Sequence, residues 1–277
     1  MMVTKNHNRI LGSLLGFAIG DAMGATTEFM NQKQIRYQYG EVTEILGGGW
    51  LHLYPGEVTD DTQMMVIVAK ARMTGKEHFL QNCCKGFVDW LEGDPRDVGG
   101  ACRTAIMDGN SKSPDEWMRL SEKRQKASNR LDLGNGAVMR ALFPALMGES
   151  TLAVDQGRLT HNNSISDYYV EEYCLAVAKV LNGEFFNRDY SGLMNPTGHV
   201  RNSVNNAIYW ALQARSFSEA IIGPVNHGGD ADTIAALAGG IAGARFGVNL
   251  ISKKWIDTLD PNVVEDLKSM ANWIMEN

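Results

Sequence analysis

Two short acidic segments, far apart in the chain, constrain the fold more than any other feature of the sequence. The first contains Asp60 and Asp61 between two threonines, and the second contains Asp230 and Asp232 followed by a threonine. A long apolar run comes directly after each segment, so each is predicted to begin a buried helix. Buried carboxylates repel one another and lose their hydration unless a cation neutralises them. The sequence therefore predicts that the two segments meet in space around divalent metal.

Each acidic segment, taken alone, also has a purely structural interpretation. Threonine or aspartate commonly caps a helix N-terminus, and acidic residues in the first turn interact favourably with the helix dipole. Asp60 and Gln63 even have the spacing of a capping box. The repetition of the pattern is what favours metal. Oxygen ligands suit Mg²⁺, Mn²⁺ or Ca²⁺ better than zinc, and one ion or a pair could be held by Thr59, Asp60, Asp61, Asp230, Asp232 and Thr233.

Apolar residues recur at helical spacing along most of the chain, which predicts an all-α fold. Helices are expected at about residues 9–23, 64–71, 79–91, 101–107, 134–147, 167–181, 199–215, 218–225, 230–246 and 263–275. No alternating run of β-branched residues is long enough to predict a sheet. Residues 31–56 are expected to form a loop, and residues 108–134 a solvated helix and loop. We see no compositional break, so residues 1–277 are predicted to form a single domain.

Composition narrows the class of function. The formal net charge of −6 gives no electrostatic footprint for nucleic acid, so no nucleic-acid partner is expected. No stretch approaches the roughly 20 apolar residues that a membrane span needs. The four cysteines form no Cys-x-x-Cys pair and are typical of buried thiols in a reducing compartment, which predicts a cytoplasmic location.

Several other residues have both a structural and a functional interpretation. Asp97 is either a helix cap or a functional carboxylate, and Glu28 is either a surface residue or a further acidic group beside the metal. The glycine-rich turn at residues 134–137 can present backbone N–H groups to a diphosphate. His161 would by default be a surface or capping histidine, and Trp50 and Tyr54 fit either a cleft or the core.

Seven separated motifs together resemble the ADP-ribosylglycohydrolase family, and within it the members that activate dinitrogenase reductase. These motifs are Gly20-Asp21-Ala22-Met23-Gly24-Ala25, Gly47-Gly48-Gly49-Trp50, Thr59-Asp60-Asp61-Thr62, Asp97-Val98-Gly99, Gly134-Asn135-Gly136-Ala137-Val138-Met139-Arg140, Thr160-His161-Asn162 and Val225-Asn226-His227-Gly228-Gly229-Asp230-Ala231-Asp232-Thr233. They span nearly the whole chain in the family's order, which makes them far more specific together than singly.

The resemblance implies an orthogonal helical fold with a binuclear Mg²⁺ or Mn²⁺ centre at the base of a cleft. By position, the six oxygen-bearing residues named above match the family's metal ligands, and Asp97 and Glu28 match its catalytic acidic groups. The matching substrate-binding residues are Val98, Gly99, Gly100, Asn135, Gly136, Ala137, Met139 and His161. One departure lies at residues 198–206, where close relatives carry an aromatic residue near the scissile bond and this chain has Ser203 or a neighbour.

The function that this resemblance implies is metal-dependent removal of ADP-ribose from a modified protein side chain, most of all arginine. The partner would then be an ADP-ribosylated protein, with the iron protein of nitrogenase as one candidate. Two alternatives use the same residues. One is a non-catalytic, ADP-ribose-binding or crystallin-like member of the family, and the other is a two-metal hydrolase that acts on another ADP-ribose or phosphate substrate.

Overall fold

The predicted all-α fold is confirmed in the computed structural model, which describes residues 3–127, 133–184 and 192–277. Within these ranges the chain forms fourteen α-helices and no β-strand, only three isolated bridges. The first seven helices are α1 (His7–Gly24), α2 (Gln32–Tyr39), α3 (Asp60–Met73), α4 (Phe79–Glu92), α5 (Gly100–Gly109), α6 (Pro114–Ala127) and α7 (Leu142–Leu146). The others are α8 (Ser150–Arg158), α9 (Ser164–Leu181), α10 (Val200–Gln213), α11 (Phe217–His227), α12 (Ala231–Phe246), α13 (Lys253–Thr258) and α14 (Pro261–Glu276).

The centre of the fold is a close antiparallel pair formed by α1 and α12. Four glycines, spaced by four residues, run along α1 and face the backbone of α12: Gly12, Gly16, Gly20 and Gly24 lie against Gly243, Gly239, Ala235 and Ala231 respectively. A Cβ atom added at any of the four would come closer than 3.0 Å to the backbone of α12. No side chain separates the two helices along this contact. Because they run antiparallel, the C-terminal end of α1 lies beside the N-terminal end of α12.

The apolar core consists of two clusters, and the larger one contains this pair. Both central helices are buried on nearly all sides, as expected for helices that are apolar all round. Helices α9, α10, α11 and α14 contribute to the larger core around them. A second cluster joins α3, α4, α5 and α6 through side chains that include Met64, Phe87, Ile106 and Trp117. Helix α3 joins the two clusters, because Met65 and Ala69 belong to the larger and Met64 and Val68 to the smaller.

The prediction of a loop at residues 31–56 was wrong at its start, where α2 forms. Asn31 and Gln34 make a capping box at the N-terminus of this helix. Its other residues are mostly polar and only Ile35 is buried, so the helix lacks the apolar period on which the prediction depended. The rest of the segment is irregular, in agreement with the prediction.

The predicted helix at residues 134–147 was also wrong over its first half. Residues 134–141 form successive turns, and only α7 is helical. The carbonyl oxygens of Gly136 and Ala137 accept hydrogen bonds from the side chains of Arg140 and Gln156. In a regular helix these carbonyl oxygens would accept hydrogen bonds from backbone N–H groups. Because side chains bond to them here, the segment forms turns and no regular helix.

Two short helices, α8 and α13, lie where no helix was predicted. The solvated segment predicted at residues 108–134 contains α6, which is partly exposed and buries Trp117, Ser121 and Gln125. Residues 128–132 of that segment lie outside the described residues. In the described part of the chain, no helix combines the length and the apolarity needed to cross a membrane.

Candidate active site

A cleft of about 250 Å³ opens between the N-termini of α3 and α12. It is lined by Glu28, Phe29, Asp60, Asp61, Asp97, Gly99, Gly100, Ala101, Cys102, Gly134, Asn135, Gly136, Met139, His161, Asp230, Asp232 and Thr233. We call one side the acidic wall, which consists of Glu28, Asp60, Asp61, Asp230, Asp232 and Thr233. We call the other side the glycine wall, which consists of Gly134, Asn135, Gly136, Met139 and His161.

A buried carboxylate of α1 holds the N-terminus of α3 from behind. Asp21 accepts hydrogen bonds from the Thr59 amide at 3.1 Å, from the Thr62 amide at 3.1 Å and from the Thr62 hydroxyl. Burial raises the pKa of Asp21 to about 6, and the hydrogen bonds from Thr62 and Thr59 act in the opposite direction. Thr59 also caps α3, because its hydroxyl accepts a hydrogen bond from the Asp61 amide. The first turn of α3 is thus fixed at the base of the cleft.

The N-terminus of α12 is held differently, by backbone pairing and by the opposite wall. Gly228 and Gly229 have φ angles of 78° and 71°, a conformation that glycine adopts readily, and Gly229 donates to the Met30 carbonyl at 2.8 Å. The Asp230 carboxylate accepts hydrogen bonds from Asn135 at 2.6 Å and from the Ser203 hydroxyl at 3.4 Å. The side chain of Asp230 therefore connects the acidic wall to the glycine wall.

The two acidic segments lie side by side at the base of the cleft. The Thr233 hydroxyl donates to Asp61 Oδ2 at 3.2 Å, which joins the first turn of α12 to that of α3. Glu28, Asp230 and Asp232 each offer an oxygen, and these oxygens all lie within 4.8 Å of one another. Carboxylates this close together form a cluster that could hold a metal ion.

Two carboxylate oxygens of the acidic wall test whether a metal fits. Asp61 Oδ1 and Asp232 Oδ1 are buried and accept no hydrogen bond from any described residue. A buried acceptor without a partner is costly, and a carboxylate oxygen is a preferred ligand of hard cations such as Mg²⁺ and Mn²⁺. The residues present therefore fit a divalent cation.

The electrostatics of the acidic wall lead to the same conclusion. Burial raises the pKa values of Asp60, Asp61 and Asp232 well above the ordinary range of aspartate, and repulsion from neighbouring carboxylates raises them further. Burial likewise raises the pKa of Glu28 to about 8, against a lowering effect of the Trp50 hydrogen bond. The acidic wall therefore lacks the positive charge that would stabilise its carboxylates, and a bound cation would supply it.

Asp97 lies at the edge of this cluster, half-buried before the N-terminus of α5. Burial raises its pKa, whereas hydrogen bonds to Asp60 and to the Val98 backbone lower it. The Gly99 amide donates to Asp60 Oδ2 at 3.3 Å. That amide therefore supports the acidic wall, and Gly99 also lines the cleft.

The glycine wall is built on a fully buried guanidinium. Arg140 donates to the Gly136 carbonyl, to the Gln156 side chain and carbonyl, to the Thr160 hydroxyl and to Cys102 Sγ. The ring of Phe87 lies 4.9 Å from its guanidinium carbon. A Cβ atom on Gly136 would come within 2.7 Å of Cys102 Sγ and 2.8 Å of the His161 ring, so only glycine fits there.

Most residues predicted for the site line the cleft, but three do not. Thr59 and Ala137 are buried behind it, and Val98 is half-buried outside the lining. No role was predicted for Asp21 or Arg140, which hold the two walls, and Ser203 was considered only as a departure from relatives. A charged residue within an apolar helix was the one available signal for Asp21.

The chain is similar to known proteins along most of its length. The sequence model of the ADP-ribosylglycohydrolase family matches residues 2–195 and 188–277. The chain is 32% identical to the ADP-ribosyl-[dinitrogen reductase] glycohydrolase of Rhodospirillum rubrum, over 97% of this chain and 96% of that protein. It is 26% identical to the ADP-ribosylarginine hydrolase Tri1 of Pseudomonas putida, over 90% of this chain and 74% of that protein.

A solved structure shares the fold. The chain superposes on a chain of an ADP-ribosylglycohydrolase-related protein complex with a TM-score of 0.79 and 24% sequence identity. The match covers 98% of each chain. At this identity the similarity concerns the fold alone.

Proposed function

The chain belongs to the ADP-ribosylglycohydrolase family, and we propose that it uses divalent metal to release ADP-ribose from modified protein side chains, arginine above all. The observation that carries this proposal is the pair of buried, unpartnered oxygens on Asp61 and Asp232. The glycine wall lines the same cleft. One side of the cleft thus suits a cation, and the other suits a diphosphate.

We assign two Mg²⁺ or Mn²⁺ ions to Thr59, Asp60, Asp61, Asp230, Asp232 and Thr233. When bound, such ions supply Lewis-acid polarisation of ribose oxygens and of water. All six side chains carry oxygen atoms, which are the ligands that these ions prefer. The raised pKa values of Asp60, Asp61 and Asp232 also support the assignment, because they show that the buried negative charges lack a neutralising partner. Glu28 would complete the acidic wall as a carboxylate that orients water.

The glycine wall would hold the diphosphate and the adenosine part of the substrate. Backbone N–H groups at a tight turn bind phosphate oxygens without a lysine. We assign substrate binding to Val98, Gly99, Gly100, Asn135, Gly136, Ala137, Met139 and His161. Val98 and Ala137 would act through their backbone position, since neither side chain lines the cleft.

Hydrolysis breaks the bond between C1″ of the ribose and the side-chain nitrogen, while water adds its hydroxyl to C1″ and its proton to the leaving nitrogen. We assign Asp97 to this proton transfer and to stabilising the positive charge that develops on the ribose. Its place in the lining of the cleft and its half-buried position, which raises the pKa of its carboxyl, support this role.

The wider setting follows from the same proposal. The partner would be an ADP-ribosylated protein, and the name of the Rhodospirillum rubrum relative makes the iron protein of nitrogenase one candidate. Four free, buried cysteines support a cytoplasmic location. We also propose that residues 1–277 form one domain, because α1 and α12 pack directly together.

A direct assay tests the proposal. The protein is incubated with matched peptides that carry ADP-ribose on arginine or on serine, in Mg²⁺, in Mn²⁺ and in excess chelator. We expect release of ADP-ribose from the arginine peptide with either metal and none in chelator. Binding of ADP-ribose without release would instead support a non-catalytic member, and full activity in chelator would exclude the metal assignment.

A further inference from the structure

Two large aromatic side chains are exposed together at the mouth of the cleft. Phe29 is 67% exposed and Trp50 is 49% exposed, although both are apolar enough to favour the core. Their rings are tilted against each other with centroids 5.5 Å apart, and Phe29 lines the cleft directly. Such a pair beside a polar cleft is an unusual surface.

The backbone holds Phe29 in this position at a conformational cost. Its φ angle is 61°, in the left-handed region that bulky residues rarely adopt. The Phe29 amide donates to the Gly229 carbonyl at 2.6 Å, which fixes it next to the N-terminus of α12. Strained residues of this kind persist mainly at functional sites, where the surrounding structure enforces them.

Trp50 is held by a residue of the acidic wall. Its indole N–H donates to Glu28 Oε2 at 2.6 Å, so one edge of the ring is tied to a buried carboxylate. The exposed rings thus lie beside a concentration of negative charge. No lysine or arginine is among the described residues that line the cleft.

A flat cation matches both properties of this surface. A guanidinium stacks on aromatic faces and is attracted by nearby carboxylates. We propose that Phe29 and Trp50 form a platform that stacks against the guanidinium of the modified arginine, and so set the preference for arginine-linked ADP-ribose. This inference rests on the proposed function, because the ADP-ribose in the cleft brings the attached side chain to the rim.

The test compares the parent protein with Phe29→Gly. Glycine removes the ring and suits the left-handed backbone, so this variant should fold at least as well as the parent, with an unchanged or higher Tm. The substrate is a peptide carrying ADP-ribose on arginine, and free ADP-ribose serves as a competitive inhibitor that lacks the guanidinium. Tyr37→Ala is the matched control, because Tyr37 is an exposed aromatic residue of α2 that does not line the cleft.

We expect Phe29→Gly to raise KM for the peptide about fivefold, the size of an exposed cation–π contact. The inhibition constant of ADP-ribose and the kcat should stay unchanged, and Tyr37→Ala should match the parent. Phe29→Leu, which keeps apolar volume but has no ring, should show the same rise in KM. Trp50→Phe keeps a ring but loses the hydrogen bond to Glu28, so it should lower kcat with little change in KM.

An active parent whose Phe29→Gly and Phe29→Leu variants keep the parental KM overturns the platform and leaves the proposed function standing. A parallel rise in the inhibition constant of ADP-ribose also overturns it, since the ring would then contact ADP-ribose itself. A parent protein that releases no ADP-ribose from the peptide overturns the proposed function and the platform with it.

Discussion

The acidic wall and the glycine wall line the same cleft, but their buried charges are balanced in different ways. The glycine wall rests on Arg140, whose guanidinium has five N–H donors, and each donor finds a neutral acceptor. The acidic wall contains carboxylates that burial and mutual repulsion disfavour in their charged form. One wall is complete as it stands, whereas the other is completed only by a cation.

This difference means that ligands should affect the two walls unequally. A ligand that binds only the folded state stabilises it by mass action. Metal should therefore stabilise the protein through the acidic wall, and substitutions in the glycine wall should leave that effect intact. Asn135 is the exception, because its amide bonds directly to Asp230.

The largest effect is expected when the acidic wall loses a ligand. Asp232→Asn should lower kcat/KM for the arginine-linked substrate about a thousandfold, because metal supplies several kcal/mol of transition-state stabilisation. The substitution should also abolish the rise in Tm that Mg²⁺ or Mn²⁺ causes in the parent protein. In chelator the Tm of the variant should not fall below that of the parent, because asparagine replaces a buried carboxylate, one of whose oxygens has no partner, by a neutral group. Steady-state kinetics and thermal denaturation measure both.

Asp266→Asn is the matched control, because Asp266 pairs with Lys70 at the surface, at 2.7 Å. It should keep both the activity and the metal-induced rise in Tm. A metal-induced rise that survives Asp232→Asn would contradict the contrast between the walls.

The next effect tests the glycine wall. Arg140→Met should destabilise the protein by about 3 kcal/mol, because the acceptors on Gly136, Gln156 and Thr160 lose a buried donor. Urea denaturation measures this loss, and inhibition by ADP-ribose should weaken in parallel. Arg140→Lys should be intermediate, since lysine keeps the charge but loses the planar fork. The metal-induced rise in Tm should persist in both variants, and its disappearance would show that the walls are not independent.

A smaller effect is expected at the connection between the walls. Asn135→Ala removes a donor to Asp230 and to the Ser203 hydroxyl. Loss of such a supporting hydrogen bond typically weakens metal affinity about tenfold. Titration of the Tm with Mn²⁺ measures this change. Asn202→Ala, which removes only a hydrogen bond to Thr197, is the control and should bind metal like the parent.

The smallest effect concerns a paired carboxylate outside the cleft, which provides a reference for the acidic wall. Burial raises the pKa of Glu149, but hydrogen bonds from Arg72 and Lys76 outweigh it and leave the pKa below its ordinary value. A lowered pKa stabilises the folded protein above the unfolded pKa, about 4.3, and this contribution is lost as the pH falls through the folded pKa.

Glu149→Gln should therefore cost about 1 kcal/mol at neutral pH and little in strong acid. Urea denaturation between about pH 3 and pH 7 compares the two proteins. Stability curves that run parallel over this range would show that Glu149 makes no such contribution.

The sequence predicted the parts of the molecule whose signals are local. Long helices such as α9 and α12 carry an apolar pattern, and the acidic segments are visible because each precedes such a pattern. Helix α2 has only Ile35 as a buried anchor, so its capping box was the one local signal. The turns at residues 134–141 depend on Arg140 and Gln156, whose competition for carbonyl oxygens is a tertiary effect.

The supporting contacts of the candidate site were beyond local prediction for the same reason. Asn135 lies 95 residues from Asp230, and Thr59 lies 38 residues from Asp21. The spacing of residues along the chain indicates which oxygens begin a helix, but it does not indicate which distant side chain donates to them. The ligand assignment itself stays a prediction.

The glycine contact between α1 and α12 also sets an order for synthesis on the ribosome. Ser13 of α1 donates to the Gly240 carbonyl of α12, a partner 227 residues later in the chain. At ~5–20 residues per second, α1 waits roughly 10 to 45 s before that partner exists. During this interval the glycine face of an almost wholly apolar helix lacks its native partner, which leaves apolar surface of the nascent chain exposed to aggregation.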